Sequence, residues 1–293
     1  MKIAVCQMRS GTDPRLNLLL VNDFVHLAVA EGAEAVFFPE NTFYRGPRKL
    51  EGFSRSDIAL YLGNDRRILP KNIFSTELLD MMESWPIAVS LGSVFESEGA
   101  NAHFYNAHFW IDPGGRVTSY RKIHLFDYRP PTGPTYLESA EVLAGQHAVA
   151  VTCKDFRCGL SICYDLRFPE LYRILSLKLG CELLLVPAAF TQKTGEAHWH
   201  TLLRARAIEN QCYVIAAAQW GSHRNNNNEE LFCYGHSLVY DPWGKLVCEA
   251  ASTGDSLLIA DIDVKRLSEV REKLPALQGA KFFHSILGTS EHW

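Results

Sequence analysis

Residues 159–170 read GLSICYDLRFPE, a single cysteine set between an apolar run and the opening of a helix. The run RCGLSI (157–162) has the length and apolar content of a buried strand. Pro169 then opens PELYRILSLKLG, with proline in the first helical turn and Gly180 as the stop. Strand, short connection and helix form the unit of an α/β fold, in which functional groups collect at the carboxyl ends of strands. Cys163 sits at such an end. It reads either as core filling, a common fate of cysteine, or as a nucleophile.

The same unit recurs on both sides. Upstream, KIAVCQ (2–7) is a strand, PRLNLLLVNDFVHLAVAEG (14–32) has helical apolar spacing, and AEAVFF (33–38) is a buried strand followed by Pro39 and Glu40. TELLDMMES (76–84) is helical and PIAVSLGS (86–93) is a strand. NAHFYNAHFWID and GRVTSYRKIH flank the turn signal Asp-Pro-Gly-Gly (112–115) and form a hairpin. Downstream, HAVAVT, CELLLVP, CYVIAAAQ and DSLLIADID read as strands, HWHTLLRARAIEN as a helix, and a last helix begins near Val264. A second hairpin surrounds Asp-Pro-Trp-Gly (241–244).

FFPE and LVPA each end a strand with a proline, and the two hairpins occupy similar places in each half. This points to a pseudo-twofold pair of sheets covered by helices, a four-layer α-β-β-α sandwich. No linker composition divides the chain, so residues 1–293 read as one domain, with a tail from about residue 278. Residues 125–145, which include Pro130, Pro131 and Pro134, read as an ordered loop, and RNNNNEE (224–230) as a polar loop tip.

Hydrophobic residues make up 47% of the chain and charged residues 21%, ordinary values for a globular protein with a large core. A net charge of -4 gives no basic footprint for nucleic acid. No apolar run approaches the about 18 residues that cross a bilayer, and Gln7 and Arg9 interrupt the first run too early for a signal peptide. Most of the eight cysteines lie inside apolar runs and read as reduced thiols of a cytoplasmic protein. Neither CxxC nor a zinc-finger spacing is present, and neither metal nor cofactor is expected.

Glu40, Lys122 and Cys163 all stand at strand ends among apolar neighbours. Taken singly, Glu40 reads as a cap or surface carboxylate and Lys122 as a surface lysine. Together they make a reaction. Glu40 can accept the thiol proton, and a helix opening near Phe168 would favour a thiolate at its mouth. Lys122 and the Tyr164 backbone N–H can stabilise an oxyanion, at about 3 kcal/mol for one such donor.

FFPE, YRKIHLF and GLSICYDLRFPEL resemble the signature blocks of the nitrilase (carbon-nitrogen hydrolase) superfamily, whose triad is Glu-Lys-Cys. PAAFTQKTGEAHWHTLLRARAIENQCYVIAAAQ and YGHSLVYDPWG look like its Nit branch, which includes deaminated glutathione amidases and ω-amidases. The resemblance implies Glu40 as general base, Lys122 as oxyanion stabiliser and Cys163 as carrier of a thioester. It also implies a second glutamate after the lysine block, Glu138, with Glu141 as near competitor.

The implied substrate is a small acidic amide. The last two blocks are nearer the deaminated glutathione amidases, which implies release of 2-oxoglutarate and cysteinylglycine. The alternatives are ω-amidase action on 2-oxoglutaramate or another amidase or N-carbamoyl hydrolase of the superfamily. Arg167 can pair a substrate carboxylate, or else an internal Asp165 or Glu170. Tyr164, Phe190, Thr191 and Thr194 are expected to line the site, and Arg204 and Arg206 to be structural. His200 departs from the family pattern, which usually has glutamate there, and 225–228 looks like a local insertion. The resemblance further implies a homodimer or higher homo-oligomer.

Overall fold

The computed structural model describes residues 1–47, 54–97, 103–129, 135–225 and 227–280. The chain runs β1 (Lys2–Gln7), α1 (Pro14–Ala30), β2 (Ala35–Phe37), α2 (Ile73–Met82), β3 (Ala88–Ser97), β4 (Phe104–Ile111) and β5 (Val117–Arg121). A short ribbon follows, β6 (Asp127–Tyr128) with β7 (Tyr136–Leu137). The second half runs β8 (Ala150–Cys153), β9 (Phe156–Leu160), α3 (Pro169–Leu177), β10 (Leu183–Leu185), α4 (Gln192–Asn210) and β11 (Tyr213–Ala216). A second ribbon, β12 (Trp220–Arg224) with β13 (Glu230–Tyr234), precedes β14 (Leu238–Tyr240), β15 (Leu246–Glu249), β16 (Ser256–Asp261) and α5 (Val264–Lys273).

One six-stranded sheet has the order β16-β1-β2-β3-β4-β5 and the other β15-β14-β11-β10-β9-β8. Read in opposite directions the two orders coincide. Each has three parallel central strands, an antiparallel hairpin on one side and an antiparallel edge strand on the other. The matching hairpin turns are built alike. Asp112 Oδ1 accepts from Gly114 N and Arg116 N, each at 2.9 Å, and Asp241 Oδ1 accepts from Trp243 N at 2.9 Å and Lys245 N at 2.8 Å.

Alternation along the strands separates two cores. Ala4, Cys6, Val36 and Val89 pack with Leu18, Val21, Val25 and Leu78 of α1 and α2. Ile3, Val5, Ala35 and Phe37 face the other way, into the sheet-to-sheet core shared with β9, β10, β11 and helices α3 and α4. These are the layers of an α-β-β-α sandwich. The β6–β7 ribbon departs from the loop expected at 125–145, whereas β12 and β13 flank the polar tip expected at 224–230. β12 is polar and half-exposed, and β6 and β7 hold only two residues each, so neither carries a periodic apolar signal. Most of the expected C-terminal tail, residues 281–293, lies outside the described residues.

Candidate active site

Glu40 projects from the turn after β2, held close against β3. A Cβ at Gly92, where φ is +63°, would lie 1.8 Å from the Pro39 carbonyl oxygen, so only glycine admits this approach. Gln219 Nε2 donates to the Glu40 carbonyl at 3.0 Å, and the Ala189 N–H donates to Glu40 Oε2 at 2.9 Å. Lys122 immediately follows β5 and is buried. Its Nζ donates to Glu40 Oε1 at 2.9 Å and to Glu138 Oε2 at 2.8 Å. Glu138 opens a 3-10 turn after β7 and also accepts from Phe126 N at 2.7 Å. Glu141 turns away to pair with Arg55, which leaves Glu138 as the second glutamate at the lysine.

Cys163 stands at the start of a 3-10 turn, Cys163–Arg167, with φ +44°. That left-handed backbone costs about 1–3 kcal/mol in a non-glycine residue and is held here by surrounding bonds. The Cys163 N–H donates to the Pro187 carbonyl at 2.9 Å. Asp165, wholly buried, accepts from Ile162 N at 2.9 Å, Tyr120 Oη at 2.7 Å and His124 N at 3.0 Å. It thus ties the cysteine turn to the segment carrying Lys122. Arg206 fixes the other end, donating twice to the Leu166 carbonyl, at 2.7 and 3.1 Å. α3 begins at Pro169, at the start expected near Phe168, but the 3-10 turn separates Cys163 from its mouth.

Electrostatics set the resting state. Burial opposes charge on Lys122, but the carboxylates of Glu138 and Glu40 outweigh it and hold the ammonium's pKa well above its ordinary value. Burial likewise pushes Glu40 up, yet Lys122 wins and the carboxyl titrates below its ordinary range. Burial, then the Glu40 charge, raises the Cys163 thiol well above the usual thiol value. At rest the Glu40 carboxylate therefore faces the Lys122 ammonium and a protonated Cys163 thiol.

The centre opens into a cavity of about 460 Å³ lined by Tyr164, Arg167, Phe190, Thr191 and Thr194, as the sequence predicts. Arg167 stacks over Phe190 at 5.1 Å and Tyr164 at 5.7 Å and reaches His198 at 3.2 Å, not Asp165 or Glu170. Asn225 and Asn227 also line the cavity, whereas His200 does not. Two contributors escaped the sequence reading. Asn106 Nδ2 donates to Glu40 Oε1 at 3.1 Å and to Glu138 Oε1 at 2.9 Å, and its only signal was an amide inside an apolar strand. Arg45 reaches the cavity beside His223, 3.2 Å away, with no ion pair to a carboxylate among the described residues.

Residues 2–272 match the carbon-nitrogen hydrolase family. The chain belongs to this family. Carbon-nitrogen hydrolases similar to it include the deaminated glutathione amidase of Synechocystis, 40% identical over 95% of this chain and 97% of that one. Among solved structures, the Caenorhabditis elegans NitFhit protein superposes with a TM-score of 0.81 at 36% identity, over 98% of this chain and 66% of that longer one. Saccharomyces cerevisiae Nit3, of branch 10 of the nitrilase superfamily, superposes with a TM-score of 0.77 at 29% identity, over 94% of each chain. This carbon-nitrogen hydrolase is thus an amide-cleaving enzyme of the nitrilase fold. Among the described residues no helix is long and apolar enough to cross a membrane.

Proposed function

We propose that the chain hydrolyses deaminated glutathione through a thioester on Cys163. The observation that carries the chemistry is the buried Lys122 ammonium, bonded to Glu40 and Glu138 beside the Cys163 thiol at the cavity floor. As Sγ attacks the amide carbonyl carbon, its proton passes to Glu40. The carbonyl oxygen becomes an oxyanion facing Lys122 Nζ and the Tyr164 N–H, which lies in the first turn with no acceptor inside it. Glu40 returns the proton to the amide nitrogen, the C–N bond breaks, and cysteinylglycine leaves as the amine. Water then gives a proton to Glu40 and its oxygen to the thioester carbon. Collapse of the second tetrahedral intermediate breaks the C–S bond, restores the thiol from Glu40 and releases 2-oxoglutarate. Glu138 and Asn106 keep Lys122 and Glu40 in register.

The substrate assignment rests on the likeness to amidases of that name and on two guanidinium groups at the cavity. Arg45 and Arg167 have no ion pair to a carboxylate among the described residues. Deaminated glutathione carries a carboxylate at each end. One domain over the whole chain and a homodimer belong to the same reading. So does cytoplasmic residence, supported by the eight unpaired cysteines.

Steady-state hydrolysis of deaminated glutathione and of 2-oxoglutaramate, with Cys163→Ala as control, tests the proposal. We expect a large preference for the first, lost in the control. Equal rates on both would overturn the substrate, and activity surviving in Cys163→Ala would overturn the mechanism.

A further inference from the structure

His200, His236 and Glu249 come together from three elements outside the active site. His200 lies on α4, His236 lies between β13 and β14, and Glu249 ends β15. His200 Nε2 is 2.8 Å and His236 Nδ1 2.6 Å from Glu249 Oε1, and one ligand atom from each residue lies within 4.8 Å of the others. We propose that these three side chains form a binding site for a divalent transition-metal ion of the imidazole-preferring kind, Zn²⁺ or Co²⁺.

The donor set is the first argument. Two imidazoles and one carboxylate suit zinc, cobalt or nickel, whereas magnesium and calcium call for oxygen donors. Spacing is the second. An ion about 2.1 Å from each ligand atom places neighbouring ligand atoms about 3.0–3.4 Å apart. The two nitrogen–oxygen separations here fall short of that by a few tenths of an ångström. Rotation of the Glu249 side chain, which now places its oxygen between the rings, opens that space.

The third argument is the support behind the ligands. His236 has φ +58° and follows Gly235 at φ +75°, a backbone course that a side chain at 235 would block by meeting the Ser252 carbonyl oxygen at 2.3 Å. Trp199 Nε1 donates to the His236 carbonyl at 2.9 Å, and Ala250 N donates to the Ser237 carbonyl at 2.8 Å, fixing the residues next to both ligands. The Tyr234 ring walls the site, 4.4 Å from His236 and 5.9 Å from His200. The side chains of His200, His236 and Glu249 keep 35%, 23% and 26% of their surface, so water can complete the coordination.

The chain positions 200, 236 and 249 form no recognisable metal motif, which is why the sequence reading expected no metal. A bound ion would staple α4 to the β13–β14 connection and to β15. That staple stands directly behind the cavity wall: Trp199 packs on Phe190 at 5.0 Å, and Tyr234 N donates to the Phe190 carbonyl at 3.0 Å. The competing reading is a carboxylate that merely accepts from two imidazoles.

Cobalt titration of the full chain separates the two. The chain is stripped with chelator and carries Cys163→Ala, which removes the active-site thiol as a rival ligand. We expect one equivalent of Co²⁺ with visible ligand-field bands and no sulfur charge-transfer band, displaced by Zn²⁺, and a higher Tm with Zn²⁺. His236→Asn, which tolerates the left-handed backbone, and Glu249→Gln should each weaken binding at least about tenfold. No visible cobalt band in Cys163→Ala would overturn the proposal even if the ligand variants fail to fold. So would a sulfur band, or affinity unchanged in His236→Asn.

Discussion

The backbone N–H of Ala189 donates to Glu40 Oε2 at 2.9 Å. Ala189 follows β10 in the second sheet much as Glu40 follows β2 in the first, so the bond joins equivalent strand ends of the two halves across their seam. The other Glu40 oxygen takes Lys122 and Asn106. Both oxygens are therefore held, and the carboxylate can meet the Cys163 thiol in one orientation only.

Glu40→Gln keeps the shape and removes the base. General-base groups contribute about 10²–10⁴-fold, so kcat should fall by that factor while circular dichroism reports an intact fold. A rate within tenfold of the native enzyme would remove Glu40 from that role.

Lys122→Met leaves the buried Glu40 and the half-buried Glu138 around the shared Asn106 amide without their cation. Removing one partner from a buried ion pair costs about 3–5 kcal/mol, and urea unfolding should show a loss of that size. Adding Glu138→Gln removes the surplus charge and should recover part of the stability, while activity stays absent. Full activity in either variant would show that Lys122 is structural alone.

Much of this was legible before the fold was known, and the reason is physical. Buried parallel strands such as CELLLVP and AEAVFF are short unbroken apolar runs, and the groups at their ends stand out by contrast. Two hairpins announced themselves through Asp-Pro turns whose Asp side chains do cap the turn backbone. The helix from Pro169 was legible through its proline and its glycine stop, whereas the 3-10 turn Cys163–Arg167 before it carries no periodic signal and passed as a plain connection. Asn106 and Arg45 escaped notice, and Asp165 was weighed only as a partner for Arg167, because their meaning is tertiary. Asp165 matters through Tyr120 and His124, far away in the chain, and nothing local marks it.

Arg167→Ala tests the carboxylate recognition. Hydrogen bonds to charged groups contribute about 1.5–3 kcal/mol, so KM for deaminated glutathione should rise about tenfold or more. If Arg167 binds ground state and transition state alike, kcat should stay within a few-fold. A fall in kcat at constant KM would place Arg167 in the chemistry instead.

The pH profile follows from the resting charges. The active form needs Glu40 ionised and the Cys163 thiol protonated. Lys122 holds Glu40 below its ordinary 4.5 against the opposing effect of burial, and burial with Glu40 holds the thiol above its ordinary 9.0. A plot of kcat/KM should therefore be flat between those values, with the acid limb below the lower one. A limb between pH 6 and 7 would point to a histidine and against this centre.

His108 predicts how stability depends on pH. It is wholly buried on β4, with Nδ1 3.0 Å from the Ser161 carbonyl and Nε2 2.7 Å from Ser90 Oγ. A neutral ring donating from Nδ1 and accepting at Nε2 satisfies both contacts, and it pins one sheet to the other two residues before Cys163. Burial lowers its pKa from 6.5 to about 4. The unfolded chain therefore takes up a proton below pH 6.5 that the folded chain refuses until about pH 4. The contribution is complete above the unfolded value and is lost as the pH falls, at about 1.4 kcal/mol per pH unit, levelling off below the folded value. Urea unfolding across that interval should show His108→Gln with a slope shallower by about one proton than the native chain. Equal slopes would mean that His108 is protonated in the fold, and the Ser161–His108–Ser90 bridge would have to be redrawn.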